Sequence, residues 1–326
     1  MDLTLSADQE ALLSEVSAFI REQMPVERLH KPLDEMALVR TMGEMGWLGM
    51  SLPESAGGAG FSLADEALVF RELGRALGPV SALAAAVAAR VGGADILSDT
   101  PCVGLAIPSA PWLGHQGGYS GPLRLFSNGA PQFALLAHHG GAALFAAPAS
   151  LATTPCLDPG VEMRACDFAQ LELVAQSDDP FIHRHALLLL SALNVGAAEG
   201  ARDLTAEYAK VRTTFGRPIG AYQAVRHPIA EMAARGEQAK TQLFFAALAL
   251  ALGREDSALQ VSALRALAQQ AASLNADSAI QLHGAIGVTD EYHAHLFMKR
   301  AAVFATWFGG TKAALRDVLK LPMRGM

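Results

Sequence analysis

The chain has 326 residues, 51% of them apolar and 17% charged, and a net charge of -7. This composition excludes a disordered chain, and the length suffices for one large core or two to three smaller ones. The acidic balance argues against a nucleic-acid partner, because phosphate backbones require clustered Lys and Arg.

The opening Met1-Asp2-Leu3-Thr4 carries no apolar run of signal-peptide length. The richest apolar runs, near Leu187 to Leu193 and Leu243 to Leu252, fall short of the roughly 20 residues that span a bilayer. The expectation is a soluble, cytoplasmic protein with no membrane contact. Cys102, Cys156 and Cys166 are odd in number and include no Cys-x-x-Cys pair, so they read as small buried hydrophobes.

In chain order, Ser6-Ala7-Asp8-Gln9 reads as a capping box, and Leu12, Val16, Phe19 and Ile20 continue one face of the helix it starts. A second helical tract around Met36 to Met45 leads to Gly46-Trp47-Leu48-Gly49 and a loop with Gly57, Gly58 and Gly60. That loop lacks the following Lys-Ser/Thr and the preceding strand of a phosphate cradle, so it reads as a sharp connection between helices. Ser62 caps a helix through Leu77, which Gly78-Pro79 ends. From about 99 to 177 the pattern changes. Phe133 to Ala137 and Ala142 to Ala146 flank His138-His139-Gly140-Gly141 as hairpin strands, and Ser127-Asn128-Gly129 is a further turn signal. Long helices follow, roughly Phe181 to Val211, Ala221 to Leu252 and Ser257 to His283, with a last pair beginning near Tyr292 and Lys312. Joined by short turns, helices of that length make a bundle whose Ala-rich faces suit an oligomer contact. The fold expected is mainly α with a small β insert, in three segments: helical 1–98, β 99–177 and a helical bundle over 178–326.

One stretch stands out, Val211-Arg212-Thr213-Thr214-Phe215-Gly216-Arg217-Pro218-Ile219-Gly220-Ala221-Tyr222-Gln223. Apolar residues at helical spacing precede it (Leu187, Leu190, Ala197, Ala201, Leu204, Tyr208), and Gly216 with Pro218 stops that helix. The exposed turn carries two guanidinium groups, a hydroxyl, free N–H groups and an aromatic ring. It suits a phosphorylated, ring-bearing ligand, and equally a solvated Gly-Pro corner. A second segment is Gln281-Leu282-His283-Gly284-Ala285-Ile286-Gly287-Val288-Thr289-Asp290-Glu291-Tyr292. Two residues apart, His293 and His295 are expected on different sides of a helix, and no metal site is expected.

The pattern Arg-x-Thr-Phe-Gly-x-x-Ile-x-x-Tyr-Gln, followed by His227 and Met232, closely resembles the FAD-binding corner of the acyl-CoA dehydrogenases. The 281–292 segment resembles that family's second flavin motif, in the same order and at the same separation. Gly-Trp-x-Gly and Pro-Glu-x-x-Gly-Gly resemble its N-terminal helical domain, which the resemblance implies is one wall of an acyl-CoA cleft. Position by position, it implies that Arg212, Thr214 and Phe215 contact the pyrophosphate and adenine half of FAD, with Ile219, Tyr222 and Gln223 beside them. Gln281, Gly284 and Ala285 would bring backbone to the same half, Ala285 replacing the usual second glycine, and Gly310 with Thr311 would open the last helix toward an anion. Each also has a structural reading: Gly284 as a helix C-cap, Thr311 as an N-cap, Phe215 as core.

The family's reaction is α,β-dehydrogenation of an acyl-CoA thioester, and it requires a carboxylate to take the α-proton. In most members that is the glutamate of Tyr-Glu-Gly-Thr, and here the segment reads Phe308-Gly309-Gly310-Thr311. A second seat, taken to lie on the helix before the second flavin motif, falls at Gln270 when aligned back from Gln281 without gaps, and an amide is no base. Asp277 is a distant substitute, about 10 Å further along the axis. The 99–177 insert is short and lacks the Thr-Glu-Pro-x-x-Gly-Ser-Asp and Trp-Ile-Thr-Asn segments that grip the flavin ring. The resemblance therefore implies the non-catalytic subunit of a heteromeric acyl-CoA dehydrogenase, sharing FAD with a homologous catalytic partner. Assembly through the C-terminal bundle, including a homodimer, and bulky acyl-CoA substrates such as steroid side-chain thioesters belong to that expectation. Two alternatives stay open: a self-sufficient flavoenzyme with an atypical base, and a flavin-free scaffold.

Overall fold

A computed structural model describes residues 4–31, 34–98, 100–109, 118–148 and 150–320. The helices among them are α1 (Ala7–Gln23), α2 (Glu35–Glu44), α3 (Leu63–Arg75), α4 (Val80–Gly92), α5 (Pro180–Val211), α6 (Gln223–Ala251), α7 (Ser257–His283), α8 (Ala294–Phe304) and α9 (Gly310–Lys320). The strands are β1 (Val103–Pro108), β2 (Pro122–Ser127), β3 (Phe133–His138), β4 (Gly141–Ala146), β5 (Thr153–Thr154), β6 (Glu162–Asp167), β7 (Glu172–Ser177), β8 (Thr213–Thr214) and β9 (Arg217–Pro218). The chain is mainly helical, with a small sheet between its N-terminal and C-terminal helices. It forms two compact units, one of 1–31, 67–78 and 188–326, the other of 32–66 and 79–187.

In the first unit the Ser6 hydroxyl accepts from the Gln9 N–H and the Gln9 side chain accepts from the Ser6 N–H, the predicted capping box. Close packing of α3 on α5 rests on glycines: a Cβ at Gly196 would lie 1.9 Å from the Arg71 carbonyl oxygen, and one at Gly200 2.5 Å from that of Arg75. Arg71 then reaches Glu199 through Nε at 2.8 Å and Nη2 at 3.0 Å, so the crossing is fixed by backbone proximity and a buried ion pair. The central helix is α7, which packs with α6, α8 and α9. Its Asn275 is fully buried and donates to the carbonyls of Ala198 on α5 (2.9 Å) and Met232 on α6 (3.0 Å). Gln269 likewise donates to the Ala301 carbonyl on α8 at 3.0 Å. A buried amide that satisfies carbonyls on two helices fixes their register as well as their spacing.

In the second unit α4 packs on the sheet, against β1 to β4 and β7. Every residue from Val80 to Ala89 is buried, as a helix apolar all round must be. The sheet order is β5-β6-β2-β1-β3-β4-β7, antiparallel except where β1 pairs β3. β3 and β4 form the predicted hairpin, with Leu135 opposite Leu144 and His138 opposite Gly141. Ser127-Asn128-Gly129 is a turn but joins no hairpin, since β1 lies between β2 and β3. Asn128 is instead buried, accepting from the Ser81 N–H at 2.8 Å and donating to the Gly160 carbonyl at 2.7 Å, which ties the start of α4 to the sheet. The loop with Gly57, Gly58 and Gly60 is the sharp connection expected. Gly57 has φ +80°, and a Cβ at Gly58 would sit 2.3 Å from the Leu52 carbonyl oxygen.

By length and composition α5 could cross a membrane, contrary to the sequence estimate, but 89% of its apolar window is buried inside the protein. The apolar run is therefore explained by packing. None of the three cysteines is in a disulfide; Cys102 and Cys166 are buried and Cys156 is half-buried.

Candidate functional site

The first corner is built where α5 runs out. The Arg212 N–H still bonds the Tyr208 carbonyl at 2.9 Å, and the chain then turns back as β8 and β9, with Thr213 opposite Pro218 and Thr214 opposite Arg217. The two linking residues, Phe215 at φ +48° and Gly216 at φ +77°, are both left-handed, the geometry of a two-residue type I′ turn. The Ile219 N–H closes the loop on the Arg212 carbonyl at 2.8 Å, and α6 starts at Gln223, two residues later than predicted. Phe215 is 97% exposed, which rules out its reading as core.

The two arginines of the corner differ. The Arg217 guanidinium lies 4.1 Å from the centre of the Tyr222 ring, and the Tyr222 hydroxyl donates to the Thr214 carbonyl at 3.0 Å. Arg217 and Tyr222 thus stiffen the turn. The Arg212 side chain has no hydrogen-bond or ion-pair partner among the described residues, and a Cβ at Gly216 would meet nothing within 4 Å.

The second corner follows α7. Gly284, at φ +67°, caps the helix through its N–H to the carbonyls of Gln281 and Ile280, so its reading as a C-cap holds in the structure. Gln281, Gly284 and Ala285 are exposed, and the space beside Gly284 is open. Ala285 does not need positive φ, so the missing glycine costs nothing in the backbone.

The corners are joined by rings. Tyr208 stacks on His283 with centroids 4.3 Å apart, and His283 lies 4.7 Å from Tyr292. Burial pulls His283 below the usual imidazole range, opposed by the bond of its Nδ1 to the Ala279 carbonyl. Sequence reading took Tyr208 as one more residue of an apolar stripe. Its position one helical turn before Arg212 was the available signal.

The Phe308-Gly309-Gly310-Thr311 segment begins as a tight turn. Phe308, Gly309 and Gly310 have φ of +51°, +79° and +65° in succession, and a Cβ at Gly309 would lie 2.9 Å from that of Ala313. Arg265 holds the turn, donating from Nη2 to the Trp307 carbonyl at 2.9 Å and the Phe308 carbonyl at 2.7 Å. Burial lowers its pKa to about 10, still protonated at neutral pH. Sequence reading did not single out Arg265. Gln270 is exposed on α7, and no hydrogen bond among the described residues joins it to Gly309. Asp277 is exposed further along the same helix, and Asp290 and Glu291 are exposed beyond it. Thr311 lies in the first turn of α9, which packs with α7.

His293 and His295 do not point apart as expected. His293 sits at the N-cap of α8, outside the helix, and both rings lie against His30, at centroid distances of 4.9 and 5.7 Å. Among the described residues no three His, Cys, Asp or Glu side chains are placed to hold a metal ion.

Comparison with known proteins matches residues 6–99 to the family model "Acyl-CoA dehydrogenase, N-terminal domain" and 184–320 to "Acyl-CoA dehydrogenase, C-terminal domain". The acyl-CoA dehydrogenase IpdE2 of Mycobacterium tuberculosis is 32% identical over 84% of this chain and 82% of its own length. FadE34 of the same organism, also an acyl-CoA dehydrogenase, is 33% identical over 86% of this chain, which spans only 41% of that protein. Among solved structures, a chain of the ChsE4–ChsE5 complex from Mycobacterium tuberculosis superposes with a TM-score of 0.78 at 24% identity, covering 99% of this chain and 100% of that one. With matching models at both ends and a middle sheet of the same fold, this chain belongs to the acyl-CoA dehydrogenase family.

Proposed function

We propose that this protein is the non-catalytic subunit of a heteromeric, FAD-dependent acyl-CoA dehydrogenase, completing the cofactor site of a homologous catalytic partner. The observation that carries the reading is a contrast. The residues matched to the flavin corner stand on an open surface with Arg212 unengaged, whereas the seat of the base is Gly309, with no side chain and positive φ. A guanidinium without an internal partner, in a turn whose Gly216 fronts open space, fits an anionic group brought by another molecule.

On this reading Arg212 and Thr214 hold the pyrophosphate, and Phe215 lies on the adenine, flanked by Ile219, Tyr222 and Gln223. Backbone at Gln281, Gly284 and Ala285 closes the other side, and Thr311 faces the same nucleotide half. When bound, FAD supplies the hydride acceptor. The α-proton is removed by the partner's carboxylate, since losing such a base costs about 10²- to 10⁴-fold in rate. In this reading the chain has an N-terminal helical segment (1–98), a β insert (99–177) and a third segment (178–326), and the third carries the corners and the contact between subunits. We assign the complex to the cytoplasm and to bulky CoA thioesters of lipid or steroid breakdown.

The test is co-expression with a homologous acyl-CoA dehydrogenase that carries the catalytic glutamate. The reading expects a stable mixed complex that oxidises an acyl-CoA, and no turnover by this chain alone. Turnover by the lone chain would favour a self-sufficient flavoenzyme. An active partner that neither binds nor needs this chain would favour a scaffold.

A further inference from the structure

The second corner is fastened to the N-terminal part of the chain by imidazoles. His30 ends a short 3-10 turn, Val26–His30, and its Nε2 lies 2.8 Å from His293 Nδ1. The other nitrogen of His293, Nε2, is 3.2 Å from Glu27 Oε1 on that same turn. His295 packs behind them with its side chain 4% exposed, and its nearest counter-charge is Asp290, 3.6 Å from Nε2. The other groups facing the cluster are Lys299, one turn along α8, and Tyr292, stacked on His293 and followed by His283 and Tyr208.

Proton accounting sets the behaviour of this cluster. One proton lies between His30 and His293, and the bond between them survives while one of the two rings is neutral. If both rings are charged, two N–H groups point at each other across 2.8 Å, and the contact cannot persist. A proton on His295 would add a third charge within 6 Å, next to Lys299, opposed only by the exposed Glu27 and Asp290. Burial already lowers the basicity of His293 and His295.

We propose that His30, His293 and His295 form a proton-operated latch, closed while His30 or His293 is neutral and opened when both are protonated, which ties the 27–30 turn to the 290–295 corner. The latch is a property of this chain alone. Its consequence, that acid loosens the surface holding the nucleotide half of FAD, rests on the function proposed above. Each proton taken up on opening multiplies the opening constant about fivefold between about pH 6.5, the unfolded imidazole pKa, and pH 5.5.

Hydrogen exchange on the full chain tests it, read at peptides covering 26–31 and 284–296 between about pH 7.5 and 5.5 and corrected for the intrinsic rate. The latch predicts that the opening constant of both peptides rises at least about fivefold from about pH 6.5 to 5.5, while the 80–92 helix stays unchanged. A change under twofold would overturn it. His30→Gln and His293→Gln, which can bond but not titrate in this range, should cut the rise below threefold. If either is unfolded at neutral pH by circular dichroism, His295→Gln makes the same comparison. Variants that open with the wild-type slope would also overturn it. The mixed complex should lose flavin at about pH 5.5 and regain it with His30→Gln. A complex without flavin at any pH would refute the proposed function, leaving the exchange result to decide the latch.

Discussion

Replacing Arg212 with Ala separates binding from folding. The guanidinium has no partner within the described chain, so its removal should shift unfolding by no more than about 0.5 kcal/mol. A hydrogen bond to a charged phosphate oxygen contributes about 1.5–3 kcal/mol, which predicts an FAD dissociation constant about 10- to 150-fold higher in the mixed complex. Arg217→Ala is the internal control, because that guanidinium is engaged 4.1 Å from the Tyr222 ring. Its loss should loosen the turn by about 0.5–1 kcal/mol and weaken FAD by less than about fivefold. The assay is titration of deflavinated complex with FAD, alongside urea unfolding of each variant. An Arg212→Ala complex that binds FAD within twofold of wild type would refute the assignment of the corner. A variant that loses flavin only because it unfolds would refute the claim that Arg212 is structurally idle.

Other sites give independent outcomes. Asn275→Leu strands buried carbonyls on α5 and α6 and should cost about 2–4 kcal/mol in urea unfolding, against under 1 kcal/mol for an exposed change such as Asp277→Asn. Gly196→Ala drives a Cβ to within 1.9 Å of the Arg71 carbonyl oxygen and should cost about 3 kcal/mol, visible as a lower melting temperature. Gly309→Glu places a side chain at φ +79° and against Ala313, so it should destabilise by about 1–3 kcal/mol and give the isolated chain no dehydrogenase activity. Acid should destabilise in two stages. His283, His293 and His295 have folded pKa values below their unfolded value, so the unfolded state binds more protons and stability falls as pH drops below about 6.5. Burial raises the Glu66 carboxyl, but His185, Ser51 and Arg90 outweigh it and hold its pKa down, so its contribution is lost only at lower pH, as the folded group protonates. Urea titrations at a series of pH values check both stages, and Glu66→Gln should remove the lower one.

Much of the helical framework was legible because its signals are local. The Ser6 and Gln9 capping box, the stop at Gly216 and Pro218, and the long apolar periods of α5 to α7 lie within a few residues of what they determine. What was missed depends on distant chain. Helix α4 is apolar on every side, so periodicity cannot mark its face, and only its burial against the sheet explains it. Asn128 read only as part of a turn signal because its bonds to Ser81 and Gly160 are invisible in sequence. The turn after α5 and the cap after α7 could be read from their glycines. The stack of Tyr208 on His283 that joins them, the hold of Arg265 on the Phe308 turn and the meeting of His30 with His293 all require residues far apart in sequence to converge.

The central claim is that this chain lends a nucleotide-binding surface to a relative that performs the oxidation. Flavin counted per polypeptide, from the absorbance of released FAD against quantitative amino-acid analysis, tests it most directly. The account predicts none bound to this chain purified alone and one FAD for each unlike pair in the mixed complex. A full equivalent of FAD on the isolated chain, together with acyl-CoA oxidation, would contradict it.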